Sequence, residues 1–258
     1  MKHTFQAALA ATVILGVASA AHADLTINGA VGLPLNPTAQ IPQRGGARVQ
    51  GNYYDMGNTG GVDFSQYGIY AAGRIASTIE INGGFSKLSS RPNSVLDQSG
   101  IAFGAKYLFS RESDPAGVRL AVGAGYDRAL VRNTHAYVVA TKYLGAVTGE
   151  KVPITGHLGL RYDRFRPGNL IPNSSKASIY AGLEVPITRT GDFSFVGELQ
   201  SRNNEYSRGV PYSASVRYRP KGQGFSASLG LARQGLTGDN GLFAQLGYSF
   251  ATSQVTGG

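Results

Sequence analysis

The residues of this chain with chemistry to offer are charged, and they share a parity. Arg48, Arg74, Lys106, Arg119, Lys142, Arg161, Lys176, Arg202, Arg217 and Arg219 lie in or beside segments where apolar and polar residues alternate, each on the polar side. Glu80, Asp127, Asp163, Glu184 and Glu198 sit on the same side. Alternation at period two gathers such a set onto one face of a group of strands. Bases outnumber acids in the set, as in the whole chain, whose formal net charge is +9. Around a narrow aqueous space, a surplus of fixed cations raises the local concentration of anions. If the charges pair among themselves instead, they close that space. The pattern expresses recognition or passage of anions and leaves open and closed states both available.

Catalysis has less to stand on. Beyond the first 23 residues only His135 and His157 remain as histidines. A general base needs a nucleophile within reach, and these two are followed by Ala136-Tyr137 and Leu158-Gly159. With 0 Cys, a disulfide scaffold and a Cys-ligated zinc or iron–sulfur centre are excluded. No catalytic, cofactor or metal site is expected, and the chain is not read as an enzyme. Outer-membrane lipases carry a His-x-Ser pair on a strand, and the neighbours of His135 and His157 do not resemble it. The Gly pairs beginning at Gly45, Gly60 and Gly83 are not spaced as a phosphate-binding loop and read as bends or thin spots in a wall. The basic residues are not interleaved with aromatics as a nucleic-acid platform requires, so nucleic acid is not an expected partner.

The elements that would position the charges are strands. From Gly46 onward, alternation predicts them at 47–54, 66–75, 78–88, 100–109, 118–127, 134–143, 152–163, 176–185, 193–202, 211–219, 225–232 and 241–250. Gly at 36 residues and charged residues at only 15% also depart from an ordinary soluble domain. Threaded up and down, the apolar faces carry aromatics near their ends. Tyr53, Tyr67, Phe85, Tyr126, Tyr137, Tyr162 and Tyr212 fall toward one rim, and Tyr107, Phe109, Tyr143, Phe193, Phe195, Tyr218, Phe225, Tyr248 and Phe250 toward the other. Aliphatic residues lie between. Two aromatic girdles around an aliphatic band suit a barrel whose outside meets lipid, since amphipathic rings settle at headgroup level. Long loops at 55–65, 89–99, 164–175 and 203–210 are expected on one rim, and shorter links at 76–77, 186–192 and 220–224 on the other. The fold class is therefore all-β, a transmembrane antiparallel β-barrel of about 12 strands.

The ends of the chain complete the expected organisation. Met1-Lys2-His3, the uncharged run from Phe5 to Val17 and Ala21-His22-Ala23 read as a signal peptide over 1–23. Residues 24–45 read as a periplasmic lead-in, 46–250 as the barrel and 251–258 as a C-terminal tail. Gly247-Tyr248-Ser249-Phe250 resembles the terminal β-signal of outer-membrane proteins, followed here by eight more residues, Ala251 to Gly258. That resemblance implies the barrel-assembly machinery as a partner, alongside outer-membrane lipid. The run Gly29-Ala30-Val31-Gly32-Leu33-Pro34-Leu35-Asn36-Pro37-Thr38-Ala39, with Gly45-Gly46 and Asn52-Tyr53-Tyr54-Asp55, resembles the opening of bacterial outer-membrane proteins linked to exopolysaccharide export.

The location implied is the outer membrane of a diderm bacterium. The function expected is a porin-like passive channel with a basic lumen favouring small or oligomeric anionic solutes, with polysaccharide as a further candidate ligand. Twelve-stranded, Arg-lined barrels resemble the porins for acidic oligosaccharides. The alternative is a plugged structural or surface-interaction barrel without transport. Eight strands are just filled by side chains and sixteen leave an open channel, so twelve leaves the question to the interior residues.

Overall fold

A computed structural model describes residues 24–251, apart from 43–45, 60, 93, 95–96, 112–116, 129–130, 146–153, 167–172, 203–204, 206–208, 221 and 235–238. The expected signal peptide and the tail after Ala251 lie outside the described residues. The strands are β1 (Gly46–Thr59), β2 (Val62–Ala76), β3 (Ile79–Arg91), β4 (Gln98–Ser110), β5 (Arg119–Arg128) and β6 (Arg132–Tyr143). They continue as β7 (Thr155–Arg166), β8 (Ser174–Pro186), β9 (Phe193–Gln200), β10 (Tyr212–Tyr218), β11 (Phe225–Arg233) and β12 (Gly241–Ala251). Each pairs antiparallel with its sequence neighbour, and β1 closes the ring on β12, from Gly46 against Ala251 to Tyr54 against Phe243. Closure gives every strand two partners. That removes the edges that a lipid surface could not satisfy with hydrogen bonds.

All twelve segments read from alternation are strands, but the rims differ from expectation. The loop anticipated at 55–65 is mostly strand: β1 runs to Thr59 and β2 starts at Val62, with a bulge between Asp55 and Gly57. Gly57 and Gly61 stand at φ +75° and +82°, a region that disfavours other side chains. The link at 144–154, on the rim that holds both ends of the barrel, is as long as the link at 201–211 on the far rim. Loop length alone therefore does not separate the rims.

The outward face is apolar. Ile69, Ile81, Val122, Ile179, Leu229 and Leu246 are all exposed there. Aromatic rings pair across strands, as in Tyr53–Tyr67 with centroids 5.2 Å apart and, at the ends of β9 and β10, Phe193–Tyr218 at 4.7 Å. Leu229, at 64% exposure, is among the most outward of the aliphatic residues. Leu229→Arg is expected to destabilise the barrel in lipid by about 2–4 kcal/mol, as for a charge facing the bilayer midplane. Leu229→Ala should cost much less. Equilibrium unfolding in lipid vesicles measures both, and equal losses would show that this face does not meet lipid.

Strand β6 corrects the sequence reading. Tyr137, expected in a girdle, is buried inside, and Lys142, expected in the lumen, is exposed outside. Pairing fixes the face. Tyr137 lies opposite Gly123 of β5, and a Cβ at Gly123 would stand 2.3 Å from the Tyr137 hydroxyl. The ring thus occupies space that a missing side chain leaves on the neighbouring strand, and it packs with Leu108, Ala121, Val139 and Tyr180. With Tyr137 inward, Thr141 is inward and Lys142 outward.

Candidate functional site

Residues 24–42 do not form a lead-in beneath the barrel, as expected; they lie inside it. Among the described residues, their ladder contacts are isolated bridges, Leu25 with Val31 and Gly32 with Pro37, so the segment is a compact irregular loop. A twelve-stranded ring is wider than its own side chains can fill, and this segment fills it. Each hydrophobic cluster of the interior joins segment to wall. Ile27 packs with Tyr54, Met56, Phe64, Leu88, Ala232 and Phe243. Leu25 and Val31 pack with Tyr70, Ala72 and Ala102, and Ala39 packs with the Tyr137 group. Leu33 is wholly buried against the bare backbone of Gly182, where a Cβ would come within 2.3 Å of its Cδ1. Burial of each such aliphatic side chain is worth about 1.5–3 kcal/mol.

Polar contacts fix the segment in three groups. At the rim that holds the barrel ends, Asp24 lies among three arginines. Its Oδ1 is 2.5 Å from Arg48 Nη2 and its Oδ2 is 2.5 Å from Arg217 Nε. Arg219 Nη2 also donates to Oδ2, and Ser226 Oγ donates to Oδ1 at 2.7 Å. Burial alone would raise the Asp24 carboxyl pKa, but Arg217, Arg219 and Arg48 outweigh it and hold the group well below the ordinary carboxylate range.

On β3 and β4, Lys106 Nζ is 2.9 Å from Glu80 Oε2 and donates to the carbonyls of Val31 and Gln40, both at 2.8 Å. Glu80 Oε1 accepts the Val31 N–H at 3.0 Å. Across the lumen, Glu198 accepts the backbone N–H groups of Leu35 (2.6 Å) and Asn36 (3.1 Å). It also accepts from the Asn36 side-chain amide and from Ser213 Oγ. Tyr180 donates its hydroxyl to the Pro37 carbonyl at 2.8 Å. Some of the segment's buried amides bond within it, Ile27 to the Pro34 carbonyl and Leu33 to the Asn36 carbonyl among them; those without such a partner need one on the wall. Glu80 and Glu198 meet that need.

The third group runs from the segment to the arginine cluster. The Ala39 N–H donates to Thr141 Oγ1 at 3.0 Å, and Thr141 Oγ1 is 2.9 Å from His157 Nδ1. His157 Nε2 stands 3.2 Å from Glu184 Oε1, and Glu184 Oε2 accepts from Arg217 Nη1 at 3.0 Å. Hydroxyl, imidazole and carboxylate follow one another in the order of a nucleophilic triad, so His157 does have a hydroxyl within reach, contributed by the neighbouring strand. The Thr141 oxygen is occupied by an amide of the segment and Glu184 by an arginine. The arrangement fastens the segment.

The remaining expected pore residues sort as follows. Arg161 lies inward and donates from Nε to both carboxylate oxygens of Asp163, at 2.9 and 3.0 Å. Asp127 is half-buried, with Oδ2 3.6 Å from His135 Nδ1. Arg119 and Lys176 are half-buried and share the inward parity of their strands. Arg74 folds back on the β2–β3 turn, donating to the carbonyls of Ala76 and Ser77. Arg202 lies beyond the end of β9 and is exposed. The inward charges are thus largely paired, and the acid at the centre of the largest group, Asp24, comes from outside the set read from sequence. The cavities inside, among the described residues, include one of about 70 Å³ beside Ile27, Asn28 and Arg161 and one of about 10 Å³ beside Thr26 and Tyr137. They have room for a few waters and for no solute.

No family model matches the sequence, and no curated protein matches it. Solved structures do resemble the fold. The KdgM porin aligns with a TM-score of 0.52 at 9% identity, over 80% of this chain and 99% of that one. The NanC porin aligns at 0.52 and 11% identity, over 80% and 100%. A KdgM porin in complex with disordered oligogalacturonate aligns at 0.51 and 10%, over 81% and 99%. The chain has the twelve-stranded architecture of bacterial outer-membrane porins, and that architecture fits an outer-membrane location.

Proposed function

We propose that this barrel is an outer-membrane channel for small or oligomeric anionic solutes, held closed by its own residues 24–42. The observation that carries the reading is the pairing of Asp24 with Arg48, Arg217 and Arg219. One acid on this segment offsets part of the charge of the wall's basic cluster, so withdrawal of the segment would widen the lumen and expose more of its positive charge in one step. The likeness to porins, one of them solved with oligogalacturonate, supports a conducting state. A second reading, a permanently filled structural barrel, is favoured by the fully buried Lys106–Glu80 pair and its grip on Val31 and Gln40.

Planar bilayers separate the two readings. The whole protein should show rare, short openings. A variant lacking 24–42 should conduct steadily, with anion preference most marked at low salt, where fixed charges are least screened. A deletion variant that shifts on gels with heating, as a folded barrel does, yet passes no current would overturn the channel reading.

A further inference from the structure

We infer that the arginine cluster around Asp24 is the barrel's binding site for a carboxylate group of the solute, and that Asp24 is a built-in occupant the solute displaces. The inference deepens the proposed function and rests on it. Both oxygens of Asp24 are engaged, and every donor stands on the wall: Arg48 on β1, Arg217 on β10, Arg219 just past it and Ser226 on β11. Such a cage, drawn from separate strands, is a receptor for one planar anion rather than a chance ion pair.

The wall side of the site is not balanced without that anion. Of the wall's own acids, Glu184 reaches the cluster, through Arg217 Nη1. Were Asp24 withdrawn, three guanidinium groups would face one carboxylate in a poorly solvated space. Like charges so placed favour uptake of another anion. The site also has an approach. The side chains of Arg48 and Arg217 are 3% exposed, but that of Arg219 is 22% exposed, on the rim where the barrel begins and ends. A solute carboxylate entering from that rim meets Arg219 first and can take its bond before Asp24 gives up the others. Leu25 and Thr26 follow Asp24 directly and are tied to Gln50 and Asn52, so releasing Asp24 loosens the start of the segment.

The test uses the intact protein and tricarballylate, a small tricarboxylate, as probe. Asp24→Asn keeps shape and removes the competing charge. It should bind tricarballylate about tenfold tighter than the natural chain by calorimetry, the scale of a charge-assisted hydrogen bond. Adding Arg217→Gln to that variant should abolish the gain. In the natural chain, tricarballylate should speed amide hydrogen exchange over residues 25–33 beyond what sodium chloride of equal ionic strength does. Binding by Asp24→Asn no tighter than by the natural chain overturns the proposal, as does equal tightening for inorganic phosphate, which would make the site one for anions at large. A deletion variant that stays silent in bilayers while Asp24→Asn gains affinity refutes the channel and keeps the site. Steady conduction without that gain does the reverse.

Discussion

Lys106→Ala is expected to free residues 31–40 from the wall while leaving the ring of strands closed. Lys106 and Glu80 are both buried, and the lysine joins three acceptors: Glu80 Oε2, the Val31 carbonyl and the Gln40 carbonyl. Its removal leaves a carboxylate and two carbonyls without their cation, and breaking a buried pair from one side costs about 3–5 kcal/mol. The strands keep their own ladders, so the loss should fall on the segment. Hydrogen exchange at the Val31 amide, which donates to Glu80, and at the neighbouring Leu33 amide, which donates to Asn36, should accelerate strongly. The heat-dependent gel shift of the barrel should persist. Replacing both partners by apolar residues, Lys106→Met with Glu80→Leu, should recover much of the protection, because the double change removes both charges. Unchanged exchange in Lys106→Ala would mean that the segment is held by its apolar anchors alone.

The barrel itself was legible because its signal is repetitive. Ile101, Phe103, Ala105, Tyr107 and Phe109 on one side of β4, against Ala102, Gly104, Lys106 and Leu108 on the other, announce a strand with a lipid face. Twelve such runs leave little freedom in fold class. On β6 the rule misleads. Thr134, Ala136, Val138 and Ala140 face out, while Tyr137 and Val139 face in, so the larger side chains are on the wrong side for a simple polarity argument. What decides β6 is the glycine at position 123 on its neighbour, information that exists only once strands are paired. The contents of the lumen were harder still. Residues 24–42 have no periodicity, and their Pro and Gly residues describe turns without saying where the turns sit. Parity found Arg48, Lys106, Glu80, Glu198 and Arg217 on the interior, but not that Lys106, Glu80 and Glu198 meet backbone amides and carbonyls of residues 31–40, or that Arg48 and Arg217 meet the carboxylate of Asp24. Asp24 carried the one available hint: a lone acid before a long uncharged stretch, in a chain whose inward bases outnumber its inward acids.

The pairing of inward tyrosines with glycines leads to the second large effect. Tyr180 is fully buried, donates to Pro37 and lies over Gly159, where a Cβ would come within 2.2 Å of its Cζ. The same arrangement joins Tyr137 to Gly123, and Tyr70 to Gly84 with a Cβ distance of 2.4 Å to its Cδ1. Each ring covers backbone that a glycine leaves bare and turns a thin wall into a packed contact. Tyr180→Ala should therefore cost about 3–5 kcal/mol, as for other large aromatic truncations in a core, and should also loosen the segment at Pro37. Gly159→Ala should cost about 1–3 kcal/mol by overpacking, because the clash is with a fully buried ring that belongs to the cluster of Leu108, Ala121, Tyr137 and Val139. The two losses should not add. With the ring gone, the new methyl group fills part of the space it left, so Gly159→Ala should be nearly neutral in the Tyr180→Ala background. Denaturant unfolding of the four proteins in lipid vesicles gives the coupling as a double-mutant cycle. Additive losses would show that ring and glycine do not act together, and that the interior is held by the segment's contacts with the wall rather than by the wall's contacts with itself.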